Sequence, residues 1–194
     1  HFIVMASRNG YIKKTALSAF KNLRRTGLRA LTIEDNDDLI GAAVSNGDAE
    51  IIISTAKGMA CRFDESEIRP MGRTARGVTG IRFKHDGDYV VSMEVVGEHV
   101  GEITDDAEID AVAEGPEILV VTDGGMGKRS YVATYRLTRR GAKGVTNIRL
   151  NADEKVVAVV QVVIGDELII TSENGLMVRI PVDEIRTVGR ASKG

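Results

Sequence analysis

The chain has 194 residues, 43% hydrophobic and 28% charged, with a formal net charge of −2; this is enough apolar content for a packed core and too much for a disordered chain. One cysteine, Cys61, excludes a disulfide framework, and His1, His85 and His99 have no metal-ligand spacing. Aromatics are only 4% with no tryptophan, which disfavours a base-stacking surface, and the lack of a membrane-length apolar run or a signal peptide predicts a cytoplasmic setting.

In chain order, an apolar run, Phe2–Met5, ends at Asn9–Gly10, a pair that supplies the positive φ of a tight hairpin. A second strand carries Lys13 and Lys14, and a basic run, Leu23-Arg-Arg-Thr-Gly27, closes this first unit's loop. The second unit repeats the plan: Ile51–Ile53, a turn at Lys57–Gly58, a strand with Arg62, then Asp64-Glu-Ser-Glu-Ile-Arg69, predicted as one helical turn. Gly72-Arg-Thr-Ala-Arg-Gly77 and a β-branched strand, Val78–Phe83, follow. Residues 98–117 hold eight acids and no Lys or Arg; set aside, they leave 20 acids against 26 bases. The stretch reads most simply as a solvated insertion, with a DNA mimic that competes for the basic surface as the alternative.

The third unit runs from Ile118–Val121 through Gly124–Gly125 to Arg139-Arg-Gly-Ala-Lys-Gly144 and a strand from Val145 to Leu150. An apolar strand, Val156–Ile164, leads to the fourth unit, where Leu168–Ile170, Asn174–Gly175 and Gly189-Arg-Ala-Ser-Lys-Gly194 recur. Asp123-Gly-Gly-Met-Gly-Lys-Arg-Ser130 lacks P-loop and dinucleotide-fingerprint glycine spacing and falls in a hairpin, so it is no nucleotide site. The approximate units are 1–46, 47–96, 117–164 and 165–194, with the acidic insertion at 97–116. About four strands per unit at this period predict an all-β solenoid of propeller-like or pinwheel-like blades. Both chain ends look cut, so a larger ring is expected.

The units align on their glycines. Gly58 and Gly77, Gly125 and Gly144, and Gly175 and Gly194 are each nineteen residues apart, with a shorter copy from Gly10 to Gly27. Four residues after each first glycine stands a cation: Lys14, Arg62, Arg129, Arg179. These either line an outer edge or pair with acids of a neighbouring blade. Eleven residues after it stands another: Lys21, Arg69, Arg136, Arg186. Glu67 and Glu184 lie two residues before Arg69 and Arg186, so local ion pairs are expected there. The small-and-basic run before each second glycine is the strongest binding motif, because its backbone can approach a phosphate between flanking cations. Any one run could be a solvated loop; recurrence in four copies favours a polyanion.

Val4-Met-Ala-Ser-Arg-Asn-Gly-Tyr-Ile-Lys-Lys-Thr15, Ile68-Arg-Pro-Met-Gly-Arg-Thr-Ala-Arg-Gly-Val-Thr-Gly-Ile-Arg82, Gly127-Lys-Arg129 and Glu184-Ile-Arg-Thr-Val-Gly-Arg190 closely resemble the C-terminal domain of bacterial DNA gyrase A, over the whole chain outside the insertion. The resemblance implies a β-pinwheel of four-stranded blades, about four of the family's six. It implies a non-catalytic module that wraps duplex DNA around a basic rim without sequence specificity and supports ATP-dependent negative supercoiling by the whole topoisomerase. The first-ranked DNA contacts are Arg24, Arg25, Arg73, Arg76, Arg139, Arg140, Lys143, Arg190 and Lys193, and the second-ranked are Lys13, Lys14, Arg62, Lys128, Arg129 and Arg179. The implied partners are double-stranded DNA, the N-terminal part of gyrase A, and gyrase B in an A2B2 complex, with no membrane. No cofactor or metal is expected in the chain, ATP and Mg being bound elsewhere in the enzyme; the setting is cytoplasmic and nucleoid-associated. Thr138-Arg-Arg-Gly-Ala-Lys-Gly144 departs from the family heptapeptide, Gln-basic-Arg-Gly-Gly-basic-Gly, at its first and fifth positions, which places the true box upstream of residue 1. The alternatives are the equivalent DNA-binding C-terminal domain of topoisomerase IV and a propeller-like protein-interaction scaffold.

Overall fold

The computed structural model describes residues 1–22, 25–97, 100–102 and 115–194, whose regular structure is β strand and single 3₁₀ turns. β1 (Phe2–Ser7), β2 (Tyr11–Ala16) and β3 (Leu39–Ser45) come first. They are followed by β4 (Glu50–Thr55), β5 (Met59–Asp64), β6 (Val78–Thr79) and β7 (Val90–Val96). Next are β8 (Glu117–Thr122), β9 (Gly127–Tyr131), β10 (Val145–Thr146) and β11 (Val156–Val162), and the last hairpin is β12 (Glu167–Thr171) with β13 (Met177–Pro181). Each hairpin turns on the first glycine of its unit. Gly10, Gly58, Gly125 and Gly175 all have φ between 76° and 84°, and a hydroxyl three residues earlier (Ser7, Thr55, Thr122, Ser172) accepts the N–H that follows the glycine.

Sheets do not coincide with sequence units. The first has the order β3-β1-β2-β6 and the second β10-β5-β4-β7, so each takes its fourth strand from the unit that follows. The third is β11-β8-β9 and the fourth is the β12-β13 hairpin. The strands expected across 78–83 and 145–150 are therefore only two residues long, because their backbone donors divide between neighbours. The Gly80 N–H goes back to Gly10 O (2.8 Å), whereas the Arg82 N–H goes forward to Ala142 O (3.0 Å). The next copy repeats this, with Asn147 donating to Gly58 O (2.7 Å) and Arg149 to Ser192 O (3.2 Å).

In units two to four the second glycine marks the crossing; Gly27 of the first unit has no such neighbour. A Cβ on Gly144 would lie 2.2 Å from Ala60 O and one on Gly77 2.5 Å from Ile12 O, so only a bare backbone passes this close to the preceding hairpin. Just before the crossing, the loop forms single parallel bridges to that hairpin: Pro70 to Lys14, Leu137 to Arg62, Thr187 to Arg129. The core lies between blades. β4 is buried throughout, and its alternating side chains serve two clusters, Ile51 and Ile53 with Val4, Ile12 and Phe63, and Ile52 with Ile118, Val120 and Tyr135. Around β12 and β13 the packing thins to a small cluster of Leu119, Val162 and Val182.

Candidate nucleic-acid interface

The cations nearest the hairpin turns lie inside the fold. Arg62 Nε donates to Glu50 Oε2 at 2.8 Å, and its NH1 reaches Tyr135 O (2.8 Å) and Val132 O (3.3 Å) in the next unit. Arg129 repeats this with Glu117 (2.6 Å) and Ile185 O (2.8 Å). Arg179 pairs with Glu167, but here both side chains are solvent-exposed. In all three the acid stands twelve residues before the arginine in the same hairpin. Lys14 differs: Phe2 occupies the acid's place and its ring lies 5.0 Å from the ammonium. The carboxylate comes instead from Glu65 of the next unit, at 3.2 Å, where units three and four have Val132 and Val182. All four pair with acids, but only Lys14 does so with a neighbouring unit as expected; Arg62, Arg129 and Arg179 pair within their own hairpin, and only Arg179 lies at the surface. Buried Lys14, Arg62 and Arg129 serve blade packing, where an unpaired charge would be very costly.

Lys13 and Lys128, ranked beside them, are buried as well. Lys13 Nζ donates to Ala30 O (2.7 Å) and to Arg73 O. Lys128 Nζ donates to Ser130 Oγ (2.8 Å) and Arg190 O (2.8 Å), with Gly189 O at 3.4 Å. Arg73 and Arg190 hold equivalent places in the basic loops of units two and four, so each lysine supports the next unit's loop from beneath. Two first-ranked arginines are partly engaged too. The Nε and NH1 groups of Arg140 go to Glu67 O and Thr79 O, and those of Arg190 to the equivalent Thr134 O and Thr146 O.

Burial, with the positive charge of Arg190 as a smaller cause, holds the Lys128 ammonium down to about 7. In the unfolded chain the same group stays protonated to about 10.4. Between these values the unfolded state binds more protons, so the cost of burying this charge is relieved as pH rises and stability increases with pH. The denaturation midpoint should therefore be higher at about pH 9 than at about pH 7, and Lys128→Met should remove most of that difference. A variant keeping the full pH dependence would refute this assignment.

The remaining cations face solvent. Arg25, Arg139, Lys143 and Lys193 are exposed, and Arg73 is half-buried; Arg24 lies outside the described residues. Arg76 is exposed, paired with Glu34 and stacked 4.2 Å over the Tyr11 ring, and Lys193 Nζ meets Asn151 Oδ1 at 2.7 Å. The row expected to form local ion pairs does not: Lys21, Arg69, Arg136 and Arg186 are all exposed, and none has an ion-pair partner within 4 Å among the described residues. The Glu67 carboxylate accepts the Arg140 backbone N–H instead (2.9 Å). Thus the row nearer the turn pairs with acids, and the row expected to pair does not. The readable signal was the matching acid twelve residues before Arg62, Arg129 and Arg179, which marks the ion-paired row.

Most of the acidic stretch lies outside the described residues, but its ends are bonded to the blades. Glu117 is the buried partner of Arg129. At the other end, Val100 O and Gly101 O accept from Arg62, and the Glu102 carboxylate accepts the Leu137 N–H at 2.8 Å. In the 123–130 hairpin both basic side chains point inward, which leaves no phosphate cradle there. Tyr135 is buried with its hydroxyl on Asn147 Oδ1 (2.6 Å). Among the described residues no His, Cys, Asp or Glu cluster could hold a metal, and no helix is long and apolar enough to cross a membrane.

The chain matches the model of the DNA gyrase C-terminal domain, beta-propeller, over residues 1–46, 49–97, 116–162 and 166–194. It is 38% identical to DNA gyrase A of Chlamydia muridarum over 195 residues and 40% identical to that of Haloquadratum walsbyi over 194, covering 100% of this chain in both cases. It spans only 22% and 21% of those two proteins. Among solved structures, a C-terminal domain of DNA topoisomerase IV superposes with a TM-score of 0.84 at 28% identity, covering all of this chain and 56% of that one. A DNA gyrase A C-terminal domain superposes at 0.80 and 24% identity, covering all of this chain and 59% of that one, a likeness of fold. The all-β blades, the crossing glycines and the family match together place this chain in the DNA gyrase C-terminal domain family.

Proposed function

We propose that the chain is a non-catalytic DNA-binding and DNA-bending module of a gyrase A protein. The observation that carries this reading is the sorting of its cations. Lys14, Arg62 and Arg129, near the hairpin turns, are neutralised inside the fold, while Arg76, Lys143 and Lys193 on the crossing loops stand exposed at equivalent places in successive units. Such an array binds a duplex by displacing its counterions, and that gain offsets the elastic cost of bending the DNA. With neither a recognition helix nor an exposed aromatic row among the described residues, it contacts phosphates rather than base edges. In the whole enzyme the bound duplex would be wrapped and presented for ATP-dependent strand passage. That requires the rest of gyrase A together with gyrase B in an A2B2 assembly, with ATP and Mg held in those parts; the setting would be cytoplasmic, on the nucleoid.

Binding to random duplexes should weaken steeply with salt and show little sequence preference, as read by fluorescence anisotropy. No binding at low salt would sink the proposal. The likeness to a topoisomerase IV domain supports a second reading, in which DNA is bound without a chiral wrap. Relaxing plasmid with a type I topoisomerase in the presence of the chain separates them: a linking-number shift supports wrapping, and binding without a shift supports the second.

A further inference from the structure

Three basic loops turn through the same four positions, Gly72–Ala75, Arg139–Ala142 and Gly189–Ser192, each closed by a hydrogen bond from the fourth residue to the first (3.0–3.1 Å). Their central peptides do not face the same way. In the middle loop Gly141 has φ +77°, as a type II turn requires at its third residue, and its N–H is spent inward on Gly80 O at 2.7 Å. Thr74 and Ala191 occupy that place in the other two loops, and neither has positive φ, which fits the type I turn, whose central peptide is rotated by about half a turn relative to type II. There the carbonyls of Arg73 and Arg190 point inward, onto Lys13 Nζ and Lys128 Nζ.

A trans peptide sets its N–H opposite its C=O, so the Thr74 and Ala191 N–H groups face away from the lysines. Neither donates to any acceptor among the described residues. The middle loop has Cys61 where the others have lysine, and without an ammonium beneath it nothing draws the Arg140 carbonyl inward. Lysine beneath a non-glycine thus goes with N–H outward, and cysteine beneath a glycine with N–H inward.

We propose, resting on the DNA-binding reading above, that the Gly72–Ala75 and Gly189–Ser192 loops each offer a duplex phosphate a backbone N–H, of Thr74 and of Ala191, which the Arg139–Ala142 loop withholds. Lys13 and Lys128 are the positioning residues that turn those peptides outward. Each seat joins one N–H to flanking cations, Arg73 and Arg76 in one loop, Arg190 and Lys193 in the other. The blades are therefore unequal. Two grip a phosphate through the main chain, and the one between them relies on side chains alone.

The test is a ¹H–¹⁵N NMR titration of the unaltered protein with a random duplex of about 20–40 base pairs, a length that spans several phosphate contacts. The Thr74 and Ala191 amides should move downfield while the Gly141 amide stays in place, and without DNA only Gly141 should be protected from hydrogen exchange. Lys128→Met should abolish the Ala191 shift and spare that of Thr74. It should weaken binding by about ten- to a hundredfold, the scale of one lost charge-assisted hydrogen bond, with the salt dependence unchanged because no phosphate-neutralising charge is removed. An equal shift at Gly141, or a Lys128→Met protein that keeps the Ala191 shift, overturns the proposal. Binding by anisotropy with Thr74 and Ala191 unmoved also overturns it while leaving the DNA reading intact; no binding at all removes both.

Discussion

Arg62→Met is expected to destabilise the fold by about 3–5 kcal/mol, the cost of breaking a buried ion pair from one side, whereas Arg179→Met should cost less than about 1 kcal/mol. The two arginines hold the same place in their units and each pairs with an acid twelve residues earlier. What differs is the surroundings. Arg62 is 1% exposed, and its guanidinium also binds the carbonyls of Val132 and Tyr135 and the entry to the acidic stretch at Val100. Its loss takes the guanidinium away from the Glu50 carboxylate and from those carbonyls in a buried interface. Arg179 and Glu167 are instead surrounded by water that replaces either partner. Adding Glu50→Met to Arg62→Met should recover part of the loss by removing a buried charge that has lost its guanidinium, but not all, because the carbonyls remain. Chemical denaturation midpoints of the four proteins decide the matter. Equal costs for Arg62→Met and Arg179→Met would show that the pair, rather than its burial, sets the energy.

The second large effect is on DNA. Replacing Arg69, Arg136 and Arg186 together with glutamine should leave stability within about 0.5 kcal/mol of the parent, since exposed side chains without ion-pair partners contribute little to folding. It should flatten the dependence of log K on log salt by about 0.9 for each phosphate no longer neutralised, roughly 2.7 in all. The weakening should be the same for any duplex sequence, since phosphates carry no sequence code. Arg179→Gln, with its charge already matched by Glu167, is the control and should change the slope by much less. If the triple variant keeps the parent slope, the duplex does not run along this row, and the binding surface is confined to the loop cations such as Arg139, Lys143 and Lys193.

The repeat, the hairpins and the all-β class were legible because they rest on local chemistry. An Asn-Gly or Gly-Gly turn and an alternating strand declare themselves within ten residues. The crossing was not, because Gly77 and Gly144 look like ordinary loop glycines until the preceding hairpin's carbonyls are seen beside them. The interface was half legible. The loop cations Arg25, Arg139, Lys143 and Lys193 lie at the surface as the basic runs suggested, but charge alone could not tell Arg62, which is buried, from Arg69, which is not. Proximity in sequence misled at Glu67 and Arg69, since a 3₁₀ turn sends the carboxylate to another unit's backbone. The exchange between units one and two, Phe2 and Glu65 for an acid and a valine, was visible in the aligned repeats, but reading it requires knowing which blade neighbours which.

The borrowed fourth strand bears on how such a protein can change its length over evolution. The first sheet draws on residues from 2 to 79 and the second on residues from 50 to 146, so their spans overlap like roof tiles. No crossover point between Phe2 and Thr146 passes through the chain without parting strands of a common sheet. A recombination event that drops or copies one sequence unit would leave the preceding sheet to accept a foreign strand, and that strand would have to bring the right crossing glycine and the right partner for the buried cation. Lys14 shows how narrow that compatibility is: its carboxylate is supplied by Glu65, so a first unit placed before a copy of the third would meet Val132 in its stead. Blade number in this lineage is therefore resistant to change by single steps, while exposed cations such as Arg25, Arg139 and Lys143, whose side chains bond no neighbouring unit among the described residues, are free of that constraint.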